Sequence, residues 1–173
     1  RISNIMTVTL CILTLNEIEA MRSLIKSIPL GEVDEVFVVD GGSTDGTIEF
    51  LRSSGLKVHI QKERGRGRGF IEGLSRATKD AVIFFSGDGN ERAADITKVR
   101  EKLEQGYELV IASRFRKDSH SFDATWVRKL GNRFFTMLVN ICLNQRLSDI
   151  FNGFRGIRRQ AALELELDAH YFN

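Results

Sequence analysis

Residues 7–47 read TVTLCILTLNEIEAMRSLIKSIPLGEVDEVFVVDGGSTDGT, and the order of patterns in this stretch decides the fold. Residues 7–15 are apolar and rich in β-branched side chains, which predicts a buried strand, and residues 35–39 (EVFVV) predict a second one. Between them we expect Asn16 to cap a helix that runs to Ile28. A strand, a helix and a second strand in this order predict parallel pairing through a right-handed crossover.

The alternation of strands and helices continues along the chain. Residues 57–61, 81–86 and 107–113 predict further strands, whereas residues 47–54, about 70–77, 94–105 and 126–143 predict helices. We expect an irregular basic tail after the last helix. This order predicts an α/β fold with Rossmann-like layers, in which helices cover both faces of a mostly parallel central sheet. We expect one domain over residues 1–173.

The composition argues against several classes of protein. Lys and Arg number 25 against 23 Asp and Glu, so the net charge of +2 gives no support to a nucleic-acid-binding protein. Two cysteines are too few for a disulfide framework, and Cys11 lies in an apolar run that predicts a buried thiol. The sequence has no apolar stretch of about 18 residues that could span a bilayer. We therefore expect a cytoplasmic protein, either free or at the cytoplasmic face of a membrane.

The segments that follow the predicted strands carry the chemistry, because ligands of such sheets bind beyond the carboxyl ends of the strands. These segments are Asn-Glu at 16–17, DGGSTDGT at 40–47, RGRGRG at 64–69, SGDGNE at 86–91 and SRFR at 113–116. Carboxylates, glycines and arginines therefore meet at one edge of the sheet. This combination predicts a site for a metal-bound diphosphate.

Asp88 is the candidate metal ligand because it comes almost directly after an apolar strand. Gly87 and Gly89 would let a ligand and a cation approach the backbone, and Asn90 offers a further oxygen. Mg²⁺ and Mn²⁺ prefer such oxygen ligands. The alternative is that the DGN sequence is only a turn, in which Asp88 accepts hydrogen bonds from its own backbone.

Two glycine-rich loops keep alternative interpretations open. Asp40 could accept hydrogen bonds from a nucleobase or a ribose, or its loop could merely precede a helix that begins at Thr47. The 64–69 run could be a solvated loop, an RNA-binding segment or a cradle for phosphate. Its place between a predicted strand and a predicted helix favours the cradle.

Taken in order, these segments resemble the family 2 glycosyltransferases of the GT-A fold, and most of all the dolichyl- and polyprenyl-phosphate sugar synthases. The resemblance runs from about residue 8 to residue 159. It is carried by the following motifs: LTLNE, VVDGGSTDGT, GRGRGFIEGL, FFSGDGNERAADI, VIASRF, WVRKLGN and SDIFNGFRGIRR. A GT-A fold and a hexosyltransferase that takes its sugar from a GDP- or UDP-sugar are what this resemblance implies.

The resemblance also assigns roles in donor binding. LTLNE implies that Thr14, Asn16 and Glu17 line the nucleoside, and Asp40 matches the first Asp of the second-strand motif, where Gly41 replaces the usual second Asp. Further donor-binding and metal-binding positions follow the same motifs: Arg66 where Lys is common, Ser86 in place of the first Asp of the metal motif, Gly87 after it, Asp88 as the metal ligand and Asn90 in place of Gln.

The acceptor side is implied by the later motifs. Arg114 and Arg128 match arginines near the phosphate of a lipid acceptor, which implies an inverting, metal-dependent transfer to a polyprenyl or dolichyl phosphate at a membrane surface. If the acceptor is instead a saccharide hydroxyl, Asp149 is the candidate general base. A non-catalytic nucleotide-binding domain is a further alternative. We also expect a missing C-terminal segment and, for residues 126–143, a core helix rather than an interfacial one.

Overall fold

The computed structural model describes residues 6–113, 126–142, 144 and 147–165, with residues 126–129 described by their backbone alone. The strands are β1 (Val8–Thr14), β2 (Glu35–Asp40), β3 (Val58–Ile60), β4 (Ala81–Ser86), β5 (Leu109–Ile111) and β6 (Arg155–Arg158). The helices are α1 (Ile18–Leu24), α2 (Thr47–Ser53), α3 (Arg66–Arg76), α4 (Asp95–Glu104), α5 (Trp126–Cys142) and α6 (Arg159–Glu164), with a short 3₁₀ turn at Leu30–Glu32.

The strands form one six-stranded sheet in the order β3-β2-β1-β4-β6-β5. β1 pairs in parallel with β2 and β4, and β2 pairs in parallel with β3. β6 is antiparallel to both of its neighbours. The mostly parallel sheet predicted from the sequence is confirmed, and its register sets Thr14 opposite Asp40 and Leu13 opposite Ser86. The carboxyl ends of β1, β2 and β4 therefore meet at one edge.

Alternate residues of the central strands pack into two apolar clusters, one on each face of the sheet. Leu10 and Ile12 join side chains of α1, α2 and α4 in the larger cluster. Cys11 joins side chains of α3 and α6 in the smaller one. Helices thus cover both faces, as predicted. Cys11 is fully buried, and burial raises the pKa of its thiol, with the charge of Glu72 adding to that effect.

The irregular tail predicted after α5 is wrong, because residues 155–164 form β6 and α6. β6 has the sequence RGIR, so its own pattern is too polar and too short to indicate a strand. It is held in the sheet by its surroundings. Phe154 is buried and packs edge-to-face on Phe85 with ring centroids 5.1 Å apart, and Gly156 leaves room for Val99 and Leu103 of α4.

The core position predicted for the helix at residues 126–143 is also wrong for its described side chains. α5 has its large apolar residues on the outside, where they are between 46% and 71% exposed: Leu130, Phe134, Phe135, Met137, Leu138 and Ile141. Asn132 and Thr136 are the buried ones. Within the described residues, no helix is both long and apolar enough to cross a bilayer.

Two helical glycines provide a matched test of this packing. A Cβ atom at Gly73 of α3 would lie 2.6 Å from Cys11 Sγ and 2.8 Å from Phe84 Cε1, whereas nothing lies within 4 Å of one at Gly131 of α5. We expect Gly73→Ala to lower the free energy of unfolding by about 1–2 kcal/mol, because overpacking outweighs the better helix propensity of Ala. Gly131→Ala should leave it unchanged or raise it by up to about 1 kcal/mol. Urea unfolding of both variants measures this, and equal effects would contradict it.

Candidate active site

A cavity of about 560 Å³ opens at the carboxyl ends of β1, β2 and β4. This volume is in the range of small-molecule binding sites. Its wall is formed by the loops that follow these strands and by the start of α3: Leu13, Thr14, Leu15, Asn16, Glu17, Val39, Gly41, Gly42, Thr44, Gln61, Arg64, Gly65, Arg66, Gly69, Ser86 and Asp88. The structure thus brings Thr14, Asn16, Glu17, Gly41, Arg66, Ser86 and Asp88, all predicted site residues, into one wall.

The loops after β1 and β2 are bonded to each other. Asn16 has a positive φ of 55°, its backbone N–H donates to Ser43 Oγ at 2.8 Å, and its Oδ1 accepts from the Thr44 N–H at 2.8 Å. The N-cap role predicted for Asn16 is therefore wrong: α1 begins at Ile18, and the Ile18 N–H donates to Asp45 Oδ2 at 3.1 Å. Asn16 joins the two loops instead.

Asp45 accepts hydrogen bonds from the first residue of α1 and from the first residue of α2. Its Oδ1 accepts from the side-chain hydroxyl and the backbone N–H of Thr47, the first residue of α2. The pKa of Asp45 is lowered, first by the hydrogen bond from the Thr47 hydroxyl and then by the backbone N–H groups of Ile18 and Thr47. The loop DGGSTDGT thus leads into a helix at Thr47, as predicted.

Asp40, the last residue of β2, accepts hydrogen bonds from the loop that follows this strand. It is fully buried, and its carboxylate accepts hydrogen bonds from Thr14 Oγ1 (2.6 Å), the Gly42 N–H (2.9 Å), the Ser43 N–H (2.6 Å) and Ser43 Oγ (2.7 Å). It does not belong to the cavity wall found in the described part of the chain. These bonds to the protein hold Thr14, Gly42 and Ser43 in place. The nucleoside contact expected for Asp40 stays a prediction.

Gly87 also lies beneath the site rather than in its wall. A Cβ atom there would be 2.6 Å from Thr14 Cγ2 and 2.9 Å from Met21 Sδ. The donor contact expected for Gly87 stays a prediction. Because Gly87 has no side chain, the end of β4 can pack closely against β1 and α1, directly before Asp88.

Asp88 and Glu17 place two carboxylates in the same wall. The pKa of Glu17 is raised, first by burial, then by the negative charge of Asp88 and then by that of Asp45. The Asn90 N–H donates to Asp88 Oδ1 at 3.0 Å, which is the turn expected as the alternative reading of DGN. Asn90 itself is exposed and does not belong to the described cavity wall, and its contact with a metal ion stays a prediction.

The residues fit a divalent cation held in part by its substrate. A cation would offset the repulsion between the Glu17 and Asp88 carboxylates. Among the described residues no cluster of three or more His, Cys, Asp and Glu side chains forms a complete metal site. The remaining ligands would therefore come from phosphate oxygens and water, as is common for Mg²⁺.

Basic residues belong to the same cavity wall. Arg64 and Arg66 belong to the wall, and α3 begins there, at Arg66, with its N-terminal N–H groups. A helix N-terminus favours anions, and the interpretation of RGRGRG as a phosphate cradle fits this position. Arg68 instead forms an ion pair with Glu63 at 3.0 Å, and the Gln61 amide donates to the Gly65 carbonyl at 2.7 Å, which holds the loop.

Sequence reasoning missed the contribution of Gly153 and Arg155. A Cβ atom at Gly153 would collide with Arg66 Nη2, so the Arg66 guanidinium lies directly against this glycine. Arg155 donates to the Asn152 carbonyl and stacks over Phe70 at 5.5 Å. Burial lowers the pKa of Arg155, and the charge of Arg66 adds to this. The signal was present in the motif SDIFNGFRG, but nothing in it shows which loop faces Arg66.

Glu91 is a third residue that the sequence reasoning missed. Its Oε2 accepts from the Ser86 N–H at 2.8 Å, and its charge acts on Arg155 and opposes the lowering of that pKa. Glu91 therefore connects the end of β4 electrostatically with the first residue of β6.

The residues predicted for the acceptor side have different outcomes. Asp149 is buried, accepts from Asn132 Nδ2 at 2.6 Å and from the Phe151 N–H at 3.2 Å, and does not belong to the described cavity wall. This position favours pairing within the protein over the general-base role predicted for it. Arg114 lies outside the described residues. Arg128 lies in α5, but its side chain is outside the description.

Comparison with known proteins agrees with this geometry. The family model described as Glycosyl transferase family 2 matches residues 9–165. The chain belongs to this family. The predicted fold class and the predicted membership of the family 2 glycosyltransferases are thereby confirmed.

Two curated relatives of this chain are longer than the chain itself. Glycosyltransferase AglJ of Haloferax volcanii is 33% identical over 165 residues, which cover 94% of this chain and 54% of AglJ. Undecaprenyl-phosphate 4-deoxy-4-formamido-L-arabinose transferase of Serratia proteamaculans is 24% identical to this chain. The alignment covers 98% of this chain and 54% of the length of that protein. The chain therefore spans about half the length of these curated relatives.

Among solved structures, glucosyl-3-phosphoglycerate synthase of Mycobacterium tuberculosis, in complex with Mn²⁺, UDP-glucose and phosphoglyceric acid, aligns with a TM-score of 0.74 and 25% identity. The alignment covers 90% of this chain and 57% of that one.

Substitution of Asp40 tests how much its buried carboxylate stabilises the fold around the cavity. We expect Asp40→Ala to lower the free energy of unfolding by about 2–4 kcal/mol, because buried N–H groups lose a charged acceptor. Asp40→Asn should lose much less, because its carbonyl oxygen can keep the two backbone N–H groups while the rotatable hydroxyls of Thr14 and Ser43 accept from its amide. Denaturant unfolding separates the two variants, and an Asn variant as unstable as the Ala variant would contradict this account.

Proposed function

We propose that this chain transfers a sugar from a nucleoside diphosphate sugar, with Mg²⁺ or Mn²⁺, to the phosphate of a polyprenyl or dolichyl lipid, with inversion at the anomeric carbon. The observation that carries the proposal is that one cavity wall contains the carboxylate residues Glu17 and Asp88 together with Arg64, Arg66 and the first residue of α3. A diphosphate with its cation is a ligand that suits this combination of charges.

In this proposal each group of wall residues binds a different part of the donor. Thr14, Asn16 and Gly41 would hold the nucleoside at the β1–β2 end of the cavity. Asp88, with Glu17 beside it, would hold the cation, which supplies charge neutralisation for the departing diphosphate, worth several kcal/mol. Arg64 and Arg66 would bind phosphate oxygens, and their fixed positive charge favours the same departure.

The acceptor is proposed from chemistry and from the relatives. A lipid phosphate is already an anion near neutral pH and brings its own nucleophilic oxygen, so it needs positioning by cations more than it needs a base. Attack by that oxygen in line with the leaving diphosphate is one displacement, which inverts the configuration. One relative is named for transfer to undecaprenyl phosphate. The buried position of Asp149 weighs against the alternative of a saccharide hydroxyl with Asp149 as base.

Donor preference and metal dependence can be measured together by thermal shift with UDP, GDP, CDP and dTDP, each with and without Mn²⁺. At about a hundred times Kd, a ligand stabilises the folded state by about 2.7 kcal/mol. We expect one nucleotide to stabilise the chain more with Mn²⁺ than without it, and Asp88→Asn to remove that increment. Asp95→Asn is the control, because Asp95 pairs with Lys98 in the first turn of α4. An increment that survives Asp88→Asn would place the cation elsewhere.

The contact between Arg66 and Gly153 gives a second prediction. A methyl group at Gly153 meets the far end of a flexible side chain, so Gly153→Ala should fold normally while it displaces the Arg66 guanidinium. We expect both Gly153→Ala and Arg66→Ala to weaken binding of the preferred nucleotide by about tenfold, the scale of one charged hydrogen bond. In a double-mutant cycle, Gly153→Ala should add nothing once Arg66 is Ala. Additive losses would show that Gly153 acts through something else.

Transfer itself is tested with the preferred donor and three acceptors: a short-chain polyprenyl phosphate, phosphoglyceric acid and a disaccharide. We expect a glycosyl phosphate product only with the first, with the anomeric configuration opposite to that of the donor by NMR. Product with the disaccharide would favour the saccharide alternative. Metal-dependent nucleotide binding without product from any acceptor would favour the non-catalytic alternative.

A further inference from the structure

The outward side of α5 is a continuous apolar surface. Its members recur at the spacing of one helical stripe, and we call them the α5 apolar face: Leu130, Phe134, Met137, Leu138 and Ile141. Ile141 is 71% exposed and Phe134 is 55% exposed. Isolated exposed apolar residues are ordinary, but a contiguous stripe of this size marks an interaction surface.

Hydrogen bonds on the inward side fix the orientation of this helix. Asn132 Nδ2 donates to Asp149 Oδ1 at 2.6 Å, and Thr136 Oγ1 donates to Asn132 Oδ1 at 3.0 Å. Asn140 exchanges two hydrogen bonds with the backbone of Leu147, each 2.8 Å long. A rotation that buried the apolar stripe would break these bonds and expose buried polar groups. These hydrogen bonds of the inward side therefore keep the apolar side of α5 facing outward.

The apolar face continues towards the donor cavity. Phe134 packs edge-to-face on Phe135 at 5.6 Å, and Phe135 packs on Phe151 at 6.0 Å, while Phe151 is itself 57% exposed. Gly153, two residues further on, lies against Arg66 of the cavity wall. This row of aromatic side chains therefore ends two residues before a glycine that contacts the cavity wall.

The charges of α5 indicate the chemistry of the covering surface. Its charged residues are Arg128, Lys129 and Arg133, and it has neither Asp nor Glu. Arg133 is exposed. A second copy of this chain related by a twofold axis would bring one all-basic helix against another, which is unfavourable. Anionic lipid headgroups above an apolar layer complement both properties of the helix.

We propose that the α5 apolar face, together with Phe151, lies on the surface of an anionic bilayer, with its apolar side chains inserted at the headgroup level. The helix rests on the membrane and does not span it. This inference rests on the proposed function, because a lipid phosphate acceptor is held at such a surface.

Vesicle binding of the whole chain tests the inference. Trp126, the sole tryptophan of the sequence, is the first residue of α5 and serves as the probe. We expect vesicles of phosphatidylcholine with phosphatidylglycerol to sediment the chain and to shift its tryptophan emission to shorter wavelength. Vesicles of phosphatidylcholine alone should bind it more weakly, and added salt should weaken the binding to the anionic vesicles.

Two variants and a control assign the surface. Phe134→Ser/Ile141→Ser should bind anionic vesicles at least about tenfold more weakly, because two inserted apolar side chains are lost. Leu30→Ser/Tyr107→Ser, which removes two exposed apolar side chains from other elements, should bind like the parent. Arg133→Gln keeps every apolar side chain and should lower only the preference for phosphatidylglycerol, so it tests the charge component even if the double Ser variant folds poorly.

The inference is overturned if the chain does not bind anionic vesicles, or if both double variants bind as the parent does. It is also overturned if the parent forms dimers that Phe134→Ser/Ile141→Ser abolishes without any vesicle binding, since a second copy would then be the occupant. Transfer to a soluble short-chain polyprenyl phosphate is measured in parallel. Transfer without vesicle binding refutes this inference alone, and vesicle binding without transfer refutes the proposed acceptor alone.

Discussion

The pairing of β1 with β2 on one side and with β4 on the other is the constraint on which the rest of the site depends. Its register sets Thr14 opposite Asp40 and Leu13 opposite Ser86, so three loops leave the sheet at the same level. A slip by one residue would turn every side chain of a strand to the other face. The two different apolar clusters above and below the sheet make such a slip unfavourable.

Charges of both signs meet at this edge of the sheet. Burial, and then the negative charge of Asp88, raise the pKa of Glu17. Burial, and then the positive charge of Arg66, lower the pKa of Arg155, and the charges of Asp149 and Glu91 oppose that lowering. Like charges held together cost free energy, and a ligand that contains both a cation and phosphate groups would offset both repulsions.

The central strands and the loops that follow them could be predicted from the sequence because apolar runs mark buried parallel strands. For the same reason most of the wall could be named, including Thr14, Glu17, Ser86 and Asp88. The directions of individual side chains could not. Asp40 and Gly87 carry the right chemistry at the right loops, yet hydrogen bonds and close packing turn them beneath the cavity. These effects depend on neighbours that are distant in sequence.

The two larger errors have the same physical origin. β6 was not predicted because its strand character comes from β4 and β5 on either side of it and from Phe154, and not from its own RGIR pattern. α5 was expected in the core because its apolar residues are numerous. Hydrophobic content alone does not say which side of a helix faces the protein, and here the polar side does so, through Asn132 and Thr136.

The place of β6 in the sheet has a consequence for the order of folding. β3, β2, β1 and β4 pair among themselves and belong to the first half of the chain, so the part that carries the cavity's carboxylates can assemble as the chain emerges from the ribosome. Among the described residues β5 pairs with β6 alone, and it must wait for residues 155–158 to arrive. Loop closure over this separation makes it a late step. Synthesis would therefore complete first the strands that carry Thr14 and lead to Glu17 and Asp88, and β6, with the preceding Gly153 that contacts Arg66, would join the sheet last.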